Sequence, residues 1–582
     1  MRRYRCQVLV TLSVVVSHTV LALYVHALDS PVISVETIRV PMRDGVLLAT
    51  DVYRDLSLPR APVVLVRTPY NKTERPRPIA ERFATAGYVV AVQDCRGRFQ
   101  SEGVFIPYNS EGQDGFDTIE WIGKQPWCNG RIGMWGSSYV GATQWQAAVE
   151  LPPGLVTITP TATWGNFYRN LYLGGALRLS LLVRWAAGNS LKPENAVVAG
   201  NWDQTLLHLP LSEIDREVGW PIPWLSGMIT HPRPDGYWTR LDLTEQIPQL
   251  ELPMQHIVGY YDFFSRESVG NFVLMQERAR DPAIRKQQQL ILGPWDHGTI
   301  GKSRIGDLDF GPNAALDVAG ANLEWFDRFL KQDPAVIARP LTPVRYFSMG
   351  DNVWQEADTW PPVGFESTAF YLHSRGHANT RGGDGWLDRS APTEDELADS
   401  FRGDPANPTP ACSVTDARPL SDGIFGPVDQ RPIEDRPEVL VYTSEPLKEP
   451  FKFAGNASAE LFVSADTPDA DWVVKLIDVA PDGFAHNLAV GILRGSFRES
   501  ELKPTPLNPG QVYQVTIDLG PVGARLSRGH RLRVDVCPAY FPLFDRNPNT
   551  GEGPFSKRTV VATQMLYHQP TRPSRLLLPC RK

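Results

Sequence analysis

The stretch Arg131-Ile132-Gly133-Met134-Trp135-Gly136-Ser137-Ser138-Tyr139-Val140-Gly141-Ala142 decides the fold. Its first half, Arg131 to Trp135, reads as a short strand, and the run Ala142 to Ala148 beyond it reads as a helix. Between them lies a turn of small residues. Such a strand-to-helix turn lifts a serine hydroxyl above the sheet edge, and the helix N-terminus favours negative charge developing beside it. Ser138 takes the nucleophile position, with Gly136 two residues before it. The match to G-x-S-x-G is imperfect, because Val140 holds the last position and the glycine follows at Gly141. Ser137 is the adjacent rival, but that choice puts Trp135 where a small residue is required.

Working outward, Ile38 to Tyr53 alternates around Arg43-Asp44-Gly45 as an antiparallel hairpin. Strand and helix patterns then alternate: strands at Val63 to Arg67 and Tyr88 to Gln93, helices at Ile79 to Ala86 and Glu111 to Ile122. That alternation implies a mostly parallel sheet covered on both faces. Residues 164–244 lack a clear strand pattern and read as an inserted helical cap. Strands resume at Pro253 to Val258 and Gln289 to Leu292, and a helix at Ala321 to Lys331 closes the core. The α/β unit is thus expected over 28–163 and 245–335. From 340 to 582 the pattern becomes short alternating strands with almost no helical periodicity, an antiparallel β-sandwich.

A serine nucleophile needs a base and an orienting carboxylate, and in an α/β-hydrolase these follow in the order Ser, Asp or Glu, His. Asp262 follows the strand ending at Val258-Gly259, and His297 follows the strand Gln289 to Leu292. Of 11 histidines, His297 stands after a core strand at the required end. Taken singly, a capping aspartate and a loop histidine explain these residues equally well. Their order and context select the triad Ser138, Asp262, His297.

Composition narrows the function. With 58 basic and 65 acidic residues the net charge is −7, and no basic run points to nucleic acid. The 47 glycines and 51 prolines suit long loops and β-rich architecture. Arg2, Arg3 and Arg5 precede an apolar run from Val8 to Val16, and Val25-His26-Ala27 offers a cleavage site, so residues 1–27 read as a signal peptide and the protein as exported, periplasmic or secreted. An uncleaved membrane anchor over Gln7 to Val25 is the alternative; without it no membrane association is expected. After cleavage five cysteines remain, so at least one thiol is unpaired. Cys95 ends one strand and Cys128 begins another, which sets them at opposite ends of a parallel sheet, beyond disulfide reach. No metal-ligand spacing occurs and no cofactor is expected.

The chain resembles the family containing bacterial cocaine esterase, X-Pro dipeptidyl-peptidase, glutaryl acylase and α-amino acid ester hydrolase. The stretches that carry the resemblance are Arg67 to Lys72, Asp94 to Arg98, Ser101-Glu102-Gly103, Gln125-Pro126-Trp127, Gly133 to Tyr139, Gly259 to Asp262, Gly293 to His297 and Phe541 to Asn547. The resemblance implies the same triad, an oxyanion hole from the Tyr70 hydroxyl and the Tyr139 N–H, and a C-terminal jelly roll. Members that take α-amino acyl groups need carboxylates for the ammonium, yet Gly141 stands three residues after the nucleophile and no acidic pair replaces it. Asp296 reads as a loop cap. Trp164, Tyr172, Trp185 and Phe264 are candidates to line an acyl pocket, though each is also an ordinary core aromatic. The expected activity is hydrolysis of small esters, with amides possible, through an acyl-enzyme. The alternatives are X-Pro dipeptide release or acyl transfer, and, in another class, a carbohydrate- or surface-binding protein built on the jelly roll.

Overall fold

The computed structural model of the chain describes residues 32–190, 200–415 and 417–581, so the signal segment expected over 1–27 lies outside the described residues. The described residues begin with the expected hairpin, β1 (Ile33–Pro41) against β2 (Leu47–Asp55), closed by Gly45 at φ 85°. There follow β3 (Ala61–Thr68), α1 (Arg77–Thr85), β4 (Val89–Asp94), α2 (Glu111–Gly123), β5 (Cys128–Ser137), α3 (Tyr139–Val149) and β6 (Leu155–Thr161). After the cap come β7 (Met254–Gly259), α4 (Ser265–Arg278), β8 (Gln288–Gly293), α5 (Val318–Phe326), β9 (Val344–Ser348) and β10 (Val353–Ala357). The strands form one ten-stranded sheet in the order β1-β2-β4-β3-β5-β6-β7-β8-β9-β10. It is parallel from β4 to β9 and antiparallel at both edges. Strands β3 and β4 are buried at every position, as apolar strands covered on both faces must be.

Two features depart from the sequence reading. Strand β6 is not foreseen there, because Leu155-Val156-Thr157-Ile158-Thr159-Pro160-Thr161 mixes threonines with a late proline. The α/β unit also runs past 335: β9 and β10 pair into the first sheet, and the second sheet takes over only from Phe365. Short, alternating β9 and β10 look like sandwich strands in isolation, and only their pairing with β8 assigns them.

The second sheet is all-β, with 12 strands and two long ones, Phe451–Ala465 and Tyr513–Leu526, paired from Phe451↔Leu526 to Val463↔Tyr513. The two units share one apolar core, in which Ile257, Tyr260 and Phe347 meet Phe453, Leu461 and Val522. Contact is close at Gly523, where a Cβ would lie 2.3 Å from the Tyr260 hydroxyl.

The described residues of 164–244 contain helices at Phe167–Leu171, Leu179–Asn189, Trp202–Leu206, Ile214–Val218 and Pro223–Thr230. They also contain a small hairpin, Tyr172–Leu173 against Ala176–Leu177, whose Gly174 packs so tightly that a Cβ would meet the Ile492 carbonyl at 2.2 Å. The second domain grips this hairpin through Phe541 to Asp545. Leu177 N–H donates to Asp545 Oδ1 at 2.7 Å, Asp545 N–H donates to the Leu177 carbonyl at 2.8 Å, and the Leu179 and Ser180 N–H groups donate to the Leu543 and Pro542 carbonyls. Asp545 is itself held by buried Arg494, which also pairs with Asp471. The five cysteines Cys95, Cys128, Cys412, Cys537 and Cys580 are all buried and unpaired. No helix among the described residues is long and apolar enough to cross a membrane.

Asp545→Ala removes one partner of a buried ion pair together with the acceptor of Leu177. It should lower stability by about 3 kcal/mol in denaturant unfolding. A variant as stable as wild type would show that the clamp carries no net stabilisation.

Candidate active site

The turn between β5 and α3 is built from close contacts. Ser138 sits at φ 61°, ψ −126°, a backbone conformation unfavourable for a side-chain-bearing residue. Its N–H donates to the Thr161 carbonyl at 3.0 Å and the Ala162 carbonyl at 3.2 Å, so β6 anchors the turn. Gly136 has φ 142°, and a Cβ there would lie 2.1 Å from Val140 Cγ1. At Gly141 a Cβ would approach Thr163 to 2.8 Å, which explains the glycine one position beyond the G-x-S-x-G spacing: α3 leaves the turn hard against the segment after β6.

Asp262 and His297 arrive on the loops after β7 and β8. His297 Nδ1 lies 2.9 Å from Asp262 Oδ2, and the other Asp262 oxygen accepts the Phe264 N–H at 2.8 Å. The Asp262 side chain is fully buried, whereas the His297 ring keeps 28% exposure and opens onto a cavity. A carboxylate with both oxygens engaged fixes the imidazole in one orientation and leaves Nε2 facing the cavity. Asp296 does cap its loop, accepting from the Gly298 N–H at 2.9 Å and the Thr299 hydroxyl at 2.8 Å.

The cavity, about 410 Å³, brings Ser138 and His297 together with Tyr70 and Trp185. Tyr70 follows β3 in a loop tied down on three sides. Its own N–H donates to Thr68 Oγ1, the Lys72 N–H donates to Asp94, and Arg98 donates to the Pro69 carbonyl while also reaching the Asn189 carbonyl of the cap. The Trp185 indole N–H donates to the Tyr70 hydroxyl at 2.9 Å. That hydroxyl, having accepted this hydrogen bond, keeps its own proton to donate, and it lines the same cavity as Ser138. Burial pushes the Tyr70 phenol above its usual range, against the Trp185 hydrogen bond that pulls it down, so it stays a proton donor near neutrality. The Tyr139 ring points away: its hydroxyl donates to Glu111 Oε1 at 2.8 Å and accepts the Tyr108 N–H. The Tyr139 N–H is the first of α3, where no intrahelical carbonyl reaches it.

Of the four aromatics expected around an acyl pocket, Trp185 and Phe264 line the cavity. Trp164 and Tyr172 do not. Trp164 is enclosed in the core between Tyr108 and Phe167, and Tyr172 turns into the cap, its hydroxyl donating to the Met228 carbonyl at 3.0 Å. Aromatic composition cannot separate lining from core, because both bury the ring. The sequence reading missed Tyr108, Phe263, Leu181, Leu182 and Arg75 as cavity residues. Tyr108 has φ 62° and stacks on Tyr139 at 4.3 Å, yet nothing in Ile106-Pro107-Tyr108-Asn109 marks it. Among the described lining residues Arg75 is the one formally charged group and no carboxylate is present.

Residues 44–299 match the X-Pro dipeptidyl-peptidase (S15) family, and residues 338–577 match the X-Pro dipeptidyl-peptidase C-terminal non-catalytic domain. The chain is 37% identical to the cocaine esterase of a Rhodococcus species, over 94% of this chain and 98% of that one. The chain belongs to this family. Among solved structures, an aminopeptidase from a marine sediment Thaumarchaeota archaeon is similar with a TM-score of 0.83 at 26% identity, covering 95% of this chain and 97% of that one. An α-amino acid ester hydrolase is similar with the same score, identity and coverage. Family membership and the ten-stranded sheet together establish an α/β-hydrolase core followed by an all-β domain, in a family of serine hydrolases.

Tyr70→Phe keeps the ring and removes the hydroxyl that shares the cavity with Ser138. With a readily hydrolysed ester, kcat should fall by about 10² to 10³ with little change in KM, because the lost bond strengthens mainly in the transition state. A fall in stability with kcat per titrated active site unchanged would reduce Tyr70 to a packing residue.

Proposed function

We propose that this chain hydrolyses small carboxylic esters through an acyl-enzyme on Ser138. In this reading the Ser138 hydroxyl attacks the ester carbonyl and gives its proton to His297 Nε2. Asp262 holds the imidazole through Nδ1 and balances the charge it acquires. The tetrahedral oxyanion receives the Tyr70 hydroxyl and the Tyr139 N–H. His297 then protonates the departing alkoxide, and water repeats the sequence on the acyl-enzyme. The observation that carries the reading is a hydrogen-bonded Asp262–His297 pair opening onto the same cavity as a serine held in a left-handed turn.

The charge of that cavity favours esters over peptide amines. A substrate ammonium buried without a carboxylate partner carries a large desolvation cost, and here the described lining presents a cation, Arg75, instead. The relatives named as an aminopeptidase and an α-amino acid ester hydrolase share the fold. With no acidic group among the described lining residues, the fold alone does not bring an amine-binding function to this chain. A cavity of about 410 Å³ suits a small acyl group and not a folded polymer. The positively charged start, Arg2 to Arg5, before the apolar run supports export, and we read the all-β unit as a jelly roll.

A panel of p-nitrophenyl esters, amides and X-Pro anilides tests the proposal. Esters should be turned over in preference to the others. Ser138→Ala should lose on the order of 10⁶-fold in kcat while folding normally, and Ser137→Ala should stay active. Near-normal turnover by Ser138→Ala, or X-Pro anilides as the preferred substrates, would contradict it.

A further inference from the structure

Among the buried cations that the mechanism leaves unused, Arg178 stands apart from ion-paired Arg67, Lys72, Lys475, Arg494 and Arg533. Arg178 precedes the cap helix Leu179–Asn189 and is 2% exposed. Its Nε donates to the Asn170 carbonyl at 2.6 Å, and its guanidinium lies over the rings of Phe425 and Phe544, 5.3 Å from each centroid. No carboxylate among the described residues reaches it at ion-pair distance. A guanidinium taken out of water with only ring faces and one carbonyl against it is costly, so its placement calls for a counter-charge farther off.

The neighbouring cavity supplies one. A space of about 30 Å³, room for an ordered water, is lined by Arg178, Arg266, Asp262, Phe425 and Phe544 among others. Arg266 is already paired with Asp518 at 3.1 Å. Asp262 spends one oxygen on His297 and the other on the Phe264 N–H. A direct bidentate ion pair with arginine would compete for those oxygens and could turn the carboxylate away from the imidazole. A cation set across a small cavity stabilises the charge and leaves both oxygens in place.

Resting on the triad reading above, we propose that Arg178 is a positioning residue for that triad. It is the counter-charge of Asp262, held at one remove from it, and the second domain keeps it there between Phe425 and Phe544. Burial lowers the guanidinium to about 9, with Arg266 pushing it down and Asp262 and Glu267 drawing it up, as a desolvated cation near two carboxylates should behave. The domain that the family description calls non-catalytic thereby reaches the reaction through two rings.

The test is the acid limb of kcat/KM. The charged or titratable groups around the Asp262–His297 pair are Arg178, Arg266 with Asp518, Asp296 engaged in its loop, Glu267, Tyr70 and Arg75. Removing the Arg178 charge makes the imidazolium easier to form. In Arg178→Met the acid limb should therefore move to higher pH by about half a unit or more, with kcat reduced and KM within about twofold. Arg178→Lys should return the limb toward wild type, because it restores charge without the fork. Phe544→Leu, which loosens the clamp and keeps the cation, should shift the limb in the same direction by less, and it serves if Arg178→Met does not fold. Burial raises Glu267 to about 7, so Glu267→Gln is run alongside; the shift on losing Arg178 should persist in that background. An acid limb that stays put in Arg178→Met and Phe544→Leu while thermal stability falls would make Arg178 a packing residue only. Loss of every ester activity in wild type would instead refute the triad reading, and the two failures are thus distinguishable.

Discussion

The hydrogen bonds from the Ser138 N–H to the Thr161 and Ala162 carbonyls are what the rest of the site depends on. A side-chain-bearing residue at φ 61°, ψ −126° costs on the order of 1–3 kcal/mol and persists only where its surroundings over-determine it. Here they do. β6 takes the N–H, Gly136 lets Val140 close in from one side, and Gly141 lets α3 lie against Thr163 on the other. The strained turn lifts the hydroxyl into the cavity and leaves the Tyr139 N–H at the N-terminal end of α3, without an intrahelical partner. Any relaxation toward ordinary helical geometry would withdraw both groups together.

A second constraint acts from outside the α/β unit. The Asp545–Leu177 exchange of hydrogen bonds fixes the hairpin from which the helix Leu179–Asn189 departs. That helix carries Leu181, Leu182 and Trp185 to the cavity wall, and Trp185 in turn orients the Tyr70 hydroxyl. Arg98 closes the circuit by bonding both the Tyr70 loop and the C-terminal end of the same helix. The wall of the cavity is thus assembled from the sheet, the cap and the second domain, and cutting any one of these ties should disturb the others.

What was legible in the sequence follows from where the information is local. Glycines and small residues around Ser138, and strand-end positions for Asp262 and His297, are set by backbone geometry within a few residues, and the structure brings the latter two to 2.9 Å. β6, β9 and β10 are harder to read because a threonine- and proline-bearing strand, a five-residue strand broken by Arg345 and a half-exposed one have no apolar run to announce them; their membership is decided by distant pairing. The same holds for the cavity wall. Trp185 and Trp164 are indistinguishable by type, yet one donates to Tyr70 and the other is walled into the core. Tyr108 and Arg178 draw their surroundings from segments far away in the chain, so no local pattern could single them out.

The central claim is that Ser138 is the nucleophile. The most direct measurement is to treat the wild-type chain with a fluorophosphonate, digest it, and locate the adduct by peptide mass spectrometry. The account predicts one equivalent of phosphonate on Ser138, formed with loss of esterase activity in step with labelling. An adduct on Ser137 or on another residue, or full inactivation with Ser138 unmodified, would contradict it.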